Sequence, residues 1–329
     1  MVTDRRLDRL HGARLRRGLG RAGLHAVCLV MPEGERAKNL ETVRRLYHGL
    51  LGQGFSREDG LVAFGGGVVG DTAGFVAATY LRGIDYVQAP TTLLAQIDSA
   101  IGAKVGVNHP LGKNLIGAFH RPASVFIDPQ ILGSLPRRQF RSGLFELLKY
   151  GFIGAPALLR EMEKRPRAFR PGSQLLHRAI ATCVRLKLDV VRSDERESGR
   201  RRILNFGHTI GHGLEAAGAY RLLTHGEAVG WGMIAAVRLA ERRGRIGPRL
   251  TERMESAVSA VGPLPPLHRL RIETVMRAIR KDKKVGPRGI RFIVPVAFGR
   301  VEVLEAMAED ELRWALSSLG IKDANARRR

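Results

Sequence analysis

Two histidines four positions apart have the spacing best suited to chemistry in this sequence. His208 and His212 lie in residues 205–212, where the apolar pattern predicts the start of a helix, so both imidazoles project from one helical face. Thr209 stands where the zinc-protease motif H-E-x-x-H requires a glutamate as general base. This argues against peptide hydrolysis by the mechanism of those proteases. Metal binding by the two imidazoles remains open.

Two further residues extend this candidate metal site. Glu146 lies in an apolar predicted helix, where a carboxylate is costly unless it is paired or ligated. His225 comes just before Gly226 and Glu227 at the start of another predicted helix. Glu146, His208 and His225 would form a three-ligand N/N/O set with one open position, as in catalytic zinc sites. Core histidines with satisfied hydrogen bonds and a paired glutamate explain these residues equally well.

A glycine-rich turn is the second candidate site. Gly65, Gly67 and Gly70 satisfy the spacing G-x-G-x-x-G between a predicted strand and an apolar helix. Glycines at such a turn let backbone N–H groups approach a pyrophosphate at the helix N-terminus. A tight strand-to-helix turn without a ligand explains the same residues, and the turn does not follow the first strand, as a dinucleotide-binding motif usually does.

Several polar residues follow this turn. Thr91 and Thr92 end a predicted strand, where helix capping alone would account for them. The sequence has ten lysines against 45 arginines, and a lysine in an arginine-rich chain suggests a role for a compact ammonium group in anion binding or proton transfer. The residues of this kind that we expect in glycine-containing loops, or at the start of a helix, are Asp98, Lys104, Lys113, Asn114 and Lys149.

The hydrophobic pattern predicts two domains of different character. Residues 1–135 alternate strands with helices, which indicates a mainly parallel, Rossmann-like α/β sheet. Residues 136–329 read as mostly α-helical with one short strand pair near 289–303. The predicted strands of the first domain cover 26–31, 60–64, 85–89 and 124–128, and the main predicted helices cover 38–52, 140–152, 158–163, 175–193, 206–217, 227–243, 250–261, 272–281 and 309–318.

The composition limits the possible partners. The formal net charge is +24, but the arginines are scattered and no RNA-binding or zinc-finger signature is present, so specific nucleic-acid binding is not expected. No apolar run reaches the ~18 residues of a membrane span, and the N-terminal segment lacks the apolar core of a signal peptide. Cys28 and Cys183 lie among apolar neighbours as buried thiols would. We therefore expect a cytoplasmic protein.

Taken together, the motifs resemble the 3-dehydroquinate synthase family, within the sugar-phosphate cyclases and related to the glycerol dehydrogenase superfamily. The resemblance runs from about Val2 to Gly299. It depends on nine segments in order: PEGERAK at 32–38, GGGVVGD at 65–71, YLRGI at 80–84, PTTLLAQ at 90–96, GKNLIGAF at 112–119, ELLKYG at 146–151, LNFGHTIGH at 204–212, HGEAV at 225–229 and DKK at 282–284.

The resemblance implies an NAD- and metal-dependent lyase that converts 3-deoxy-D-arabino-heptulosonate 7-phosphate to 3-dehydroquinate and phosphate. The reaction would proceed by transient oxidation, phosphate elimination, reduction and intramolecular aldol closure, in the shikimate pathway to the aromatic amino acids. Zinc, or cobalt or another divalent ion, would be bound by Glu146, His208 and His225, and the enzyme would be a homodimer. The NAD-binding residues would be Glu35, Lys38, Gly65, Gly66, Gly67, Gly70, Asp71, Thr91, Thr92, Lys104 and Lys113.

The same resemblance assigns substrate and catalytic roles. His212 would relay the first proton, with Lys104, Lys149 and Asn205 as further catalytic groups. The carboxylate and phosphate of the substrate would contact Asp98, Lys104, Asn114, Lys149, Lys187, Arg201, Asn205, His212, Lys283 and Lys284.

Three departures from the family pattern accompany this resemblance. Ala103 replaces a glycine before Lys104, and Phe145 replaces a small residue beside Glu146. The residues that precede Val2 in the family pattern are missing, so we expect either that translation starts upstream of Met1 or that the first strands of the sheet are absent. The alternatives are an inosose- or valiolone-type cyclase, an NAD-dependent alcohol dehydrogenase, and, outside the enzymes, a basic nucleic-acid-binding protein or an inactive truncated remnant.

Overall fold

A computed structural model describes residues 1–195, 197, 199–281, 285–286 and 289–323. The side chains of residues 285, 286 and 289 are outside this description. The chain forms two compact units, Met1–Leu135 and Pro136–Arg329. Each unit is described separately below.

The first unit is built on a five-stranded sheet in which every pairing is parallel. Its strands are β1 Val2–Asp4, β2 Leu29–Met31, β3 Leu61–Gly65, β4 Tyr86–Pro90 and β7 Ser124–Val125. Their spatial order is β2-β1-β3-β4-β7. Helices α1 Arg5–Leu7, α2 Ala13–Arg21, α3 Leu40–Gly52 and α4 Gly67–Thr79 lie in the same unit. The predicted parallel α/β architecture is therefore confirmed.

Local sequence explains the two longer helices beside the sheet. Asn39 caps α3 by accepting a hydrogen bond from the Thr42 N–H, and the apolar stripe that includes Val43, Leu46 and Leu50 is buried, as an amphipathic helix requires. Helix α4 is apolar on most sides and is buried over most of its length, because it packs in the core of this unit.

A β-hairpin occupies the region that the sequence suggested would be glycine-containing loops, so this part of the prediction was wrong. Strands β5 Lys104–His109 and β6 Gly112–Phe119 pair antiparallel. Gly106 and Gly117 face each other across the pair: a Cβ at Gly106 would lie 2.5 Å from the Ile116 carbonyl oxygen, and one at Gly117 would lie 2.4 Å from that of Val105. These glycines allow close strand approach rather than a loop.

Two predicted strands are shorter than expected for a topological reason. Strand β2 pairs only with the three residues of β1, so residues 26–28 have no ladder partner in the described sheet. Strand β7 pairs with β4 at only two positions. The predicted strands at 60–64 and 85–89 are each displaced by one residue.

The second unit is mostly helical, as predicted. Its helices are α5 Arg137–Ile153, α6 Pro156–Lys164, α7 Gln174–Ser193, α8 His208–Ala217, α9 His225–Arg242, α10 Pro248–Val261, α11 Ile272–Lys281 and α12 Glu309–Ser318. Strands β8 Val285–Gly286, β9 Gly289–Ala297 and β10 Arg300–Met307 form a three-stranded antiparallel sheet of order β10-β9-β8. In the described part of the chain, no helix is both long enough and apolar enough to cross a membrane.

The helix predicted from Phe206 begins two residues later. Residues Arg200–Asn205 form a 3-10 helix, and Gly207 has a φ of +78°. That left-handed conformation interrupts the helical path and favours glycine. Helix α8 therefore begins at His208, which places this imidazole in its first turn.

Candidate active site

The glycine turn of the first unit connects β3 to α4. Gly66 lies at the N-cap of α4, and among the described residues no side chain caps this helix start. A Cβ at Gly66 would lie 2.9 Å from Thr92 Cγ2, and a Cβ at Gly70 would lie 2.6 Å from Gln88 Oε1. Packing within the turn thus explains part of the glycine pattern, while the uncapped N–H groups of a 13-residue helix can receive an anion.

Six polar residues form what we call the glycine-turn network: Glu35, Lys38, Asp71, Asn108, Lys113 and Asn114. The buried Lys38 ammonium donates to Asp71 Oδ2 and to Asn114 Oδ1, each at 2.5 Å. The Asn108 amide donates to Glu35 Oε1 at 2.8 Å, and Lys113 Nζ lies 3.8 Å from the same oxygen. Five of the six were predicted site residues, and Asn108 was missed.

Asn108 connects the two halves of this network. Its backbone N–H donates to the Lys38 carbonyl at 2.8 Å, and its Oδ1 accepts from the Asn114 N–H at 2.9 Å. Asn114 has a φ of +54°, a conformation that asparagine tolerates better than most residues. Asn108 belongs to none of the motifs recognised in the sequence. Only the pairing of β5 with β6 shows that it is part of this network.

The remaining predicted residues of the first unit lie at strand ends or in the segment before the hairpin. The Thr91 N–H donates to the Gly65 carbonyl at 3.0 Å, and Thr92 Oγ1 accepts from the Ala95 N–H at 3.1 Å. The Thr92 hydroxyl therefore caps the following helical turn, as predicted, whereas the Thr91 contact is made by its backbone. Asp98 lies in the π-helical turn Ala95–Ser99, and Lys104 is exposed at the start of β5.

In the second unit, Glu146 on α5 is a buried carboxylate that needs a positive partner. Its side chain has no exposed surface, and neither oxygen accepts a hydrogen bond from the residues that the structure describes. Lys149 Nζ approaches Oε2 to 2.6 Å as an ion pair. Oε1 remains directed at two imidazoles, with His208 Nε2 at 3.6 Å and His225 Nε2 at 3.5 Å.

Both of these imidazoles are held through their other ring nitrogen. His208 Nδ1 lies 3.1 Å from the Phe206 carbonyl oxygen, and His225 Nδ1 lies 2.9 Å from Glu215 Oε2. Because a carbonyl oxygen only accepts, His208 Nδ1 carries a proton, and Nε2 is the ring nitrogen that faces Glu146. Glu215 was missed, although its position seven residues after His208 places it on the same helical face.

His212 completes what we call the histidine–carboxylate cluster: Glu146, His208, His212 and His225. One ring nitrogen each from His208, His212 and His225 lie within 4.8 Å of one another. The His212 ring centroid is 5.3 Å from that of His208 and 5.7 Å from that of His225. His208 is buried and the other two histidines are partly exposed, so the cluster is accessible from one side.

The donor set of this cluster fits a divalent metal ion. A buried carboxylate and imidazoles with Nε2 directed toward it match the oxygen and nitrogen ligands of zinc and cobalt sites. The distances of 3.5 and 3.6 Å between Glu146 Oε1 and the two Nε2 atoms are of the order expected for two ligands of one ion at ~2 Å each. His212 is close enough to be a fourth ligand or a neighbouring acid–base group.

The N-terminus of α9, which carries His225, is fixed by a charged network that the sequence did not reveal. Thr224 and Glu227 form a capping box, and Arg138 donates to both Glu227 oxygens at 2.9 and 2.7 Å. Arg141 adds a contact of 3.4 Å. Burial alone would raise the pKa of Glu227, but the hydrogen bonds from Arg138 and Thr224 outweigh it and keep the pKa below its ordinary value.

The predicted anion-binding residues of this unit are only partly described. Lys187 is buried on α7 and Arg201 is buried in the 3-10 helix. Arg201 donates to the Glu195 carbonyl at 2.5 Å, and the Asn205 amide donates to Glu197. Asp282, Lys283 and Lys284 lie outside the described residues.

Comparison with known proteins places this geometry in a family. The 3-dehydroquinate synthase N-terminal profile matches residues 28–142, and the 3-dehydroquinate synthase C-terminal profile matches residues 143–285. The structure of 2-epi-5-epi-valiolone synthase from Streptomyces hygroscopicus, solved with NAD⁺ and Zn²⁺ bound, is 29% identical with a TM-score of 0.90, covering 97% of this chain and 89% of that one. A 2-deoxy-scyllo-inosose synthase with carbaglucose-6-phosphate, NAD⁺ and Co²⁺ is 26% identical with a TM-score of 0.87 and the same coverage.

The fold is thus that of enzymes that cyclise sugar phosphates. Among curated relatives, 3-dehydroquinate synthase of Synechococcus sp. is 44% identical over 323 residues, covering 97% of this chain and 88% of the relative. The enzyme of Gloeobacter violaceus is 45% identical over 320 residues, covering 97% and 89%. The chain belongs to the 3-dehydroquinate synthase family, and the resemblance drawn from its nine motifs is confirmed.

Proposed function

We propose that this chain is a 3-dehydroquinate synthase, which converts 3-deoxy-D-arabino-heptulosonate 7-phosphate to 3-dehydroquinate and inorganic phosphate. The observation that carries the proposal is the 44–45% identity to two 3-dehydroquinate synthases over 97% of the chain. The valiolone and inosose synthases share the fold but only 29% and 26% of the sequence. This difference favours the carboxylated substrate over the other sugar phosphates.

Glu146, His208 and His225 are the proposed ligands of a divalent metal, Zn²⁺ or Co²⁺. The buried Glu146 carboxylate supports this assignment because its Oε1 lies 3.6 Å from His208 Nε2 and 3.5 Å from His225 Nε2 and accepts no hydrogen bond from the described residues, while Lys149 pairs with Oε2. The metal, when bound, would act as a Lewis acid on the substrate hydroxyl that is oxidised. The 27% exposure of the His225 side chain leaves an open side for that hydroxyl.

The first unit is the proposed NAD-binding part, and the cofactor would accept a hydride and later return it. The uncapped N-terminus of α4 offers N–H groups to the pyrophosphate. Lys38, buried at 4% exposure, holds Asp71 and Asn114 in place beside that turn. Glu35, Thr91, Thr92, Lys104 and Lys113 are the other proposed contacts.

His212 is the proposed proton carrier. It lies one helical turn after His208, with ring centroids 5.3 Å apart, and an imidazole accepts and donates protons near neutral pH. Its position allows it to take the proton from a hydroxyl group held at the cluster. Lys149 lies against Glu146, so its ammonium can orient an anionic group of the substrate there.

The remaining substrate contacts are proposed from residue chemistry. Arg201 and Lys187 are buried cations suited to phosphate or carboxylate. The Asn205 amide, now directed at Glu197, can donate to a substrate oxygen. The other proposed contacts are Asp98, Lys104, Asn114, Lys283 and Lys284.

The proposal also covers the cellular location and the oligomeric state of the enzyme. We place the enzyme in the cytoplasm, where thiols stay reduced, since neither Cys28 nor Cys183 is part of a disulfide among the described residues. We propose a homodimer as the assembly, which sedimentation analysis of the purified protein would test.

Phosphate release tests the proposed activity. The purified protein, supplied with NAD⁺ and Zn²⁺, is incubated separately with 3-deoxy-D-arabino-heptulosonate 7-phosphate, sedoheptulose 7-phosphate and glucose 6-phosphate. We expect phosphate only from the first substrate, with no net accumulation of NADH at 340 nm, since the hydride returns to the intermediate. Phosphate only from the two uncarboxylated sugars would identify another cyclase, and net NADH formation would identify a dehydrogenase.

A further inference from the structure

The His225 ring lies between two carboxylates from different helices. Its Nδ1 is 2.9 Å from Glu215 Oε2 on α8, and its Nε2 is 3.5 Å from Glu146 Oε1 on α5. Glu215 is buried, with 4% of its surface exposed. A buried ionised carboxylate is costly unless a donor meets it, and the His225 Nδ1–H is such a donor. The contact therefore fixes which ring nitrogen faces Glu146.

We propose that Glu215 is a positioning residue for the metal ion. It accepts the Nδ1–H of His225 and so holds the Nε2 lone pair toward Glu146, in the tautomer and orientation that a metal ligand requires. This inference rests on the proposed metal site and adds to it a residue that contacts no ligand directly. A carboxylate behind a metal-binding histidine also makes the imidazole a stronger ligand.

His225 needs such a partner more than His208 does. The His208 ring is 8% exposed and hydrogen-bonded to a backbone carbonyl, so packing and the main chain both fix it. His225 is the first residue of α9, and its side chain is 27% exposed. Packing alone holds its ring less firmly, so loss of Glu215 would allow the ring to turn about the Cβ–Cγ bond. A side-chain substitution can remove the Glu215 contact, whereas none removes the Phe206 carbonyl.

Zinc affinity without substrate tests the inference. The wild-type protein, Glu215→Ala and Glu215→Gln are stripped of metal and titrated with Zn²⁺ against a chromophoric chelator. We expect Glu215→Ala to raise the zinc Kd by about 10- to 100-fold. Glu215→Gln should bind more tightly than Glu215→Ala, because its amide oxygen still accepts the Nδ1–H. Glu311→Ala, which removes a carboxylate of α12 that pairs with Arg243 at the far end of α9 from His225, is the matched control and should bind zinc like wild type.

The outcomes separate this inference from the proposed function. A wild-type protein that binds no zinc would overturn the metal site itself. Wild-type zinc affinity in Glu215→Ala, with an unchanged melting temperature of the metal-free protein, would overturn only the role of Glu215. If Glu215→Ala does not fold, ¹⁵N NMR of the zinc-loaded wild type decides the question. Zinc on Nε2 of His225 with a protonated Nδ1 supports the inference, and zinc on Nδ1 contradicts it.

Discussion

A Cβ atom on Gly232 would lie 1.8 Å from the carbonyl oxygen of Gly207. Gly232 is buried in the middle of α9, and Gly207 is the residue that precedes α8. Gly226 repeats the relationship, since its Cβ would lie 1.9 Å from the Ser142 carbonyl oxygen in α5. Helix α9 therefore packs directly against the backbone of Gly207 and against the backbone of α5. This close approach sets the separation of His208, His225 and Glu146.

Replacing Gly232 by alanine should destabilise the protein strongly. The added methyl group meets backbone rather than a movable side chain, so we expect a loss of about 3 kcal/mol or more in the free energy of unfolding, the upper end for overpacked cores. Urea denaturation followed by circular dichroism measures the change. Gly20→Ala in α2 is the control: a Cβ there meets nothing within 4 Å, so that change should be neutral or stabilising by up to about 1 kcal/mol. Equal effects of the two substitutions would contradict the packing argument.

Alanine substitutions of His208 and His212 should have different effects on zinc binding and activity. His208→Ala should lose both bound zinc and activity while keeping the fold. His212→Ala should keep stoichiometric zinc but reduce kcat by about 10²- to 10⁴-fold, as expected for the loss of an acid–base group. Metal analysis by plasma mass spectrometry, together with the phosphate assay, measures both. Stoichiometric zinc in His208→Ala, or loss of zinc in His212→Ala, would reassign the ligands, since the ring nitrogens of both histidines lie within 4.8 Å of each other.

Lys38→Met should weaken NAD⁺ binding without affecting zinc. Its ammonium holds Asp71 and Asn114 at 2.5 Å each, and removing it leaves the partly buried Asp71 carboxylate and the exposed Asn114 amide oxygen without that donor. We expect the NAD⁺ Kd to rise about tenfold or more, which corresponds to the ~1.4 kcal/mol that separates affinities by that factor. Isothermal titration calorimetry measures it, and Lys164→Met, on an exposed residue of α6, is the control. An unchanged Kd in Lys38→Met would exclude the glycine-turn network from the cofactor site.

The sequence predicted those features that follow from local periodicity. The sequence alone predicted that His208 and His212 share a helical face and that Glu146 has apolar neighbours. Each of these features depends only on residues close by in the chain. The hairpin β5–β6 was not predicted, because Lys104, Lys113 and Asn114 were interpreted as residues of glycine-containing loops, and only the pairing of the two strands shows otherwise. Glu215 and Asn108 were missed for the same reason: their partners His225 and Glu35 lie 10 and 73 residues away in the chain. The spacing of His208 and Glu215 indicates a shared helical face, but no local pattern indicates that Glu215 meets His225 on another helix.

The ion pair of Glu311 with Arg243 should give part of the stability a defined pH dependence. Arg243 donates from Nε and Nη2 to the two Glu311 oxygens at 2.6 Å each, which joins the end of α9 to α12. These hydrogen bonds lower the pKa of Glu311 below its ordinary 4.5. A lowered folded-state pKa means that the stabilisation is fully present above the unfolded pKa and is lost as the pH falls through the folded value.

Urea midpoints measured from pH 3 to pH 7 test this pair. Glu311→Gln should be less stable than wild type by about 1 kcal/mol at pH 7, the scale of a partly exposed ion pair, and the difference should shrink as the pH falls below 4.5, the ordinary value for this carboxyl group. Arg243→Gln should show the same convergence, because either substitution removes the same pair. A stability difference that stays constant down to pH 3 would mean that the ionised Glu311 gains nothing from Arg243.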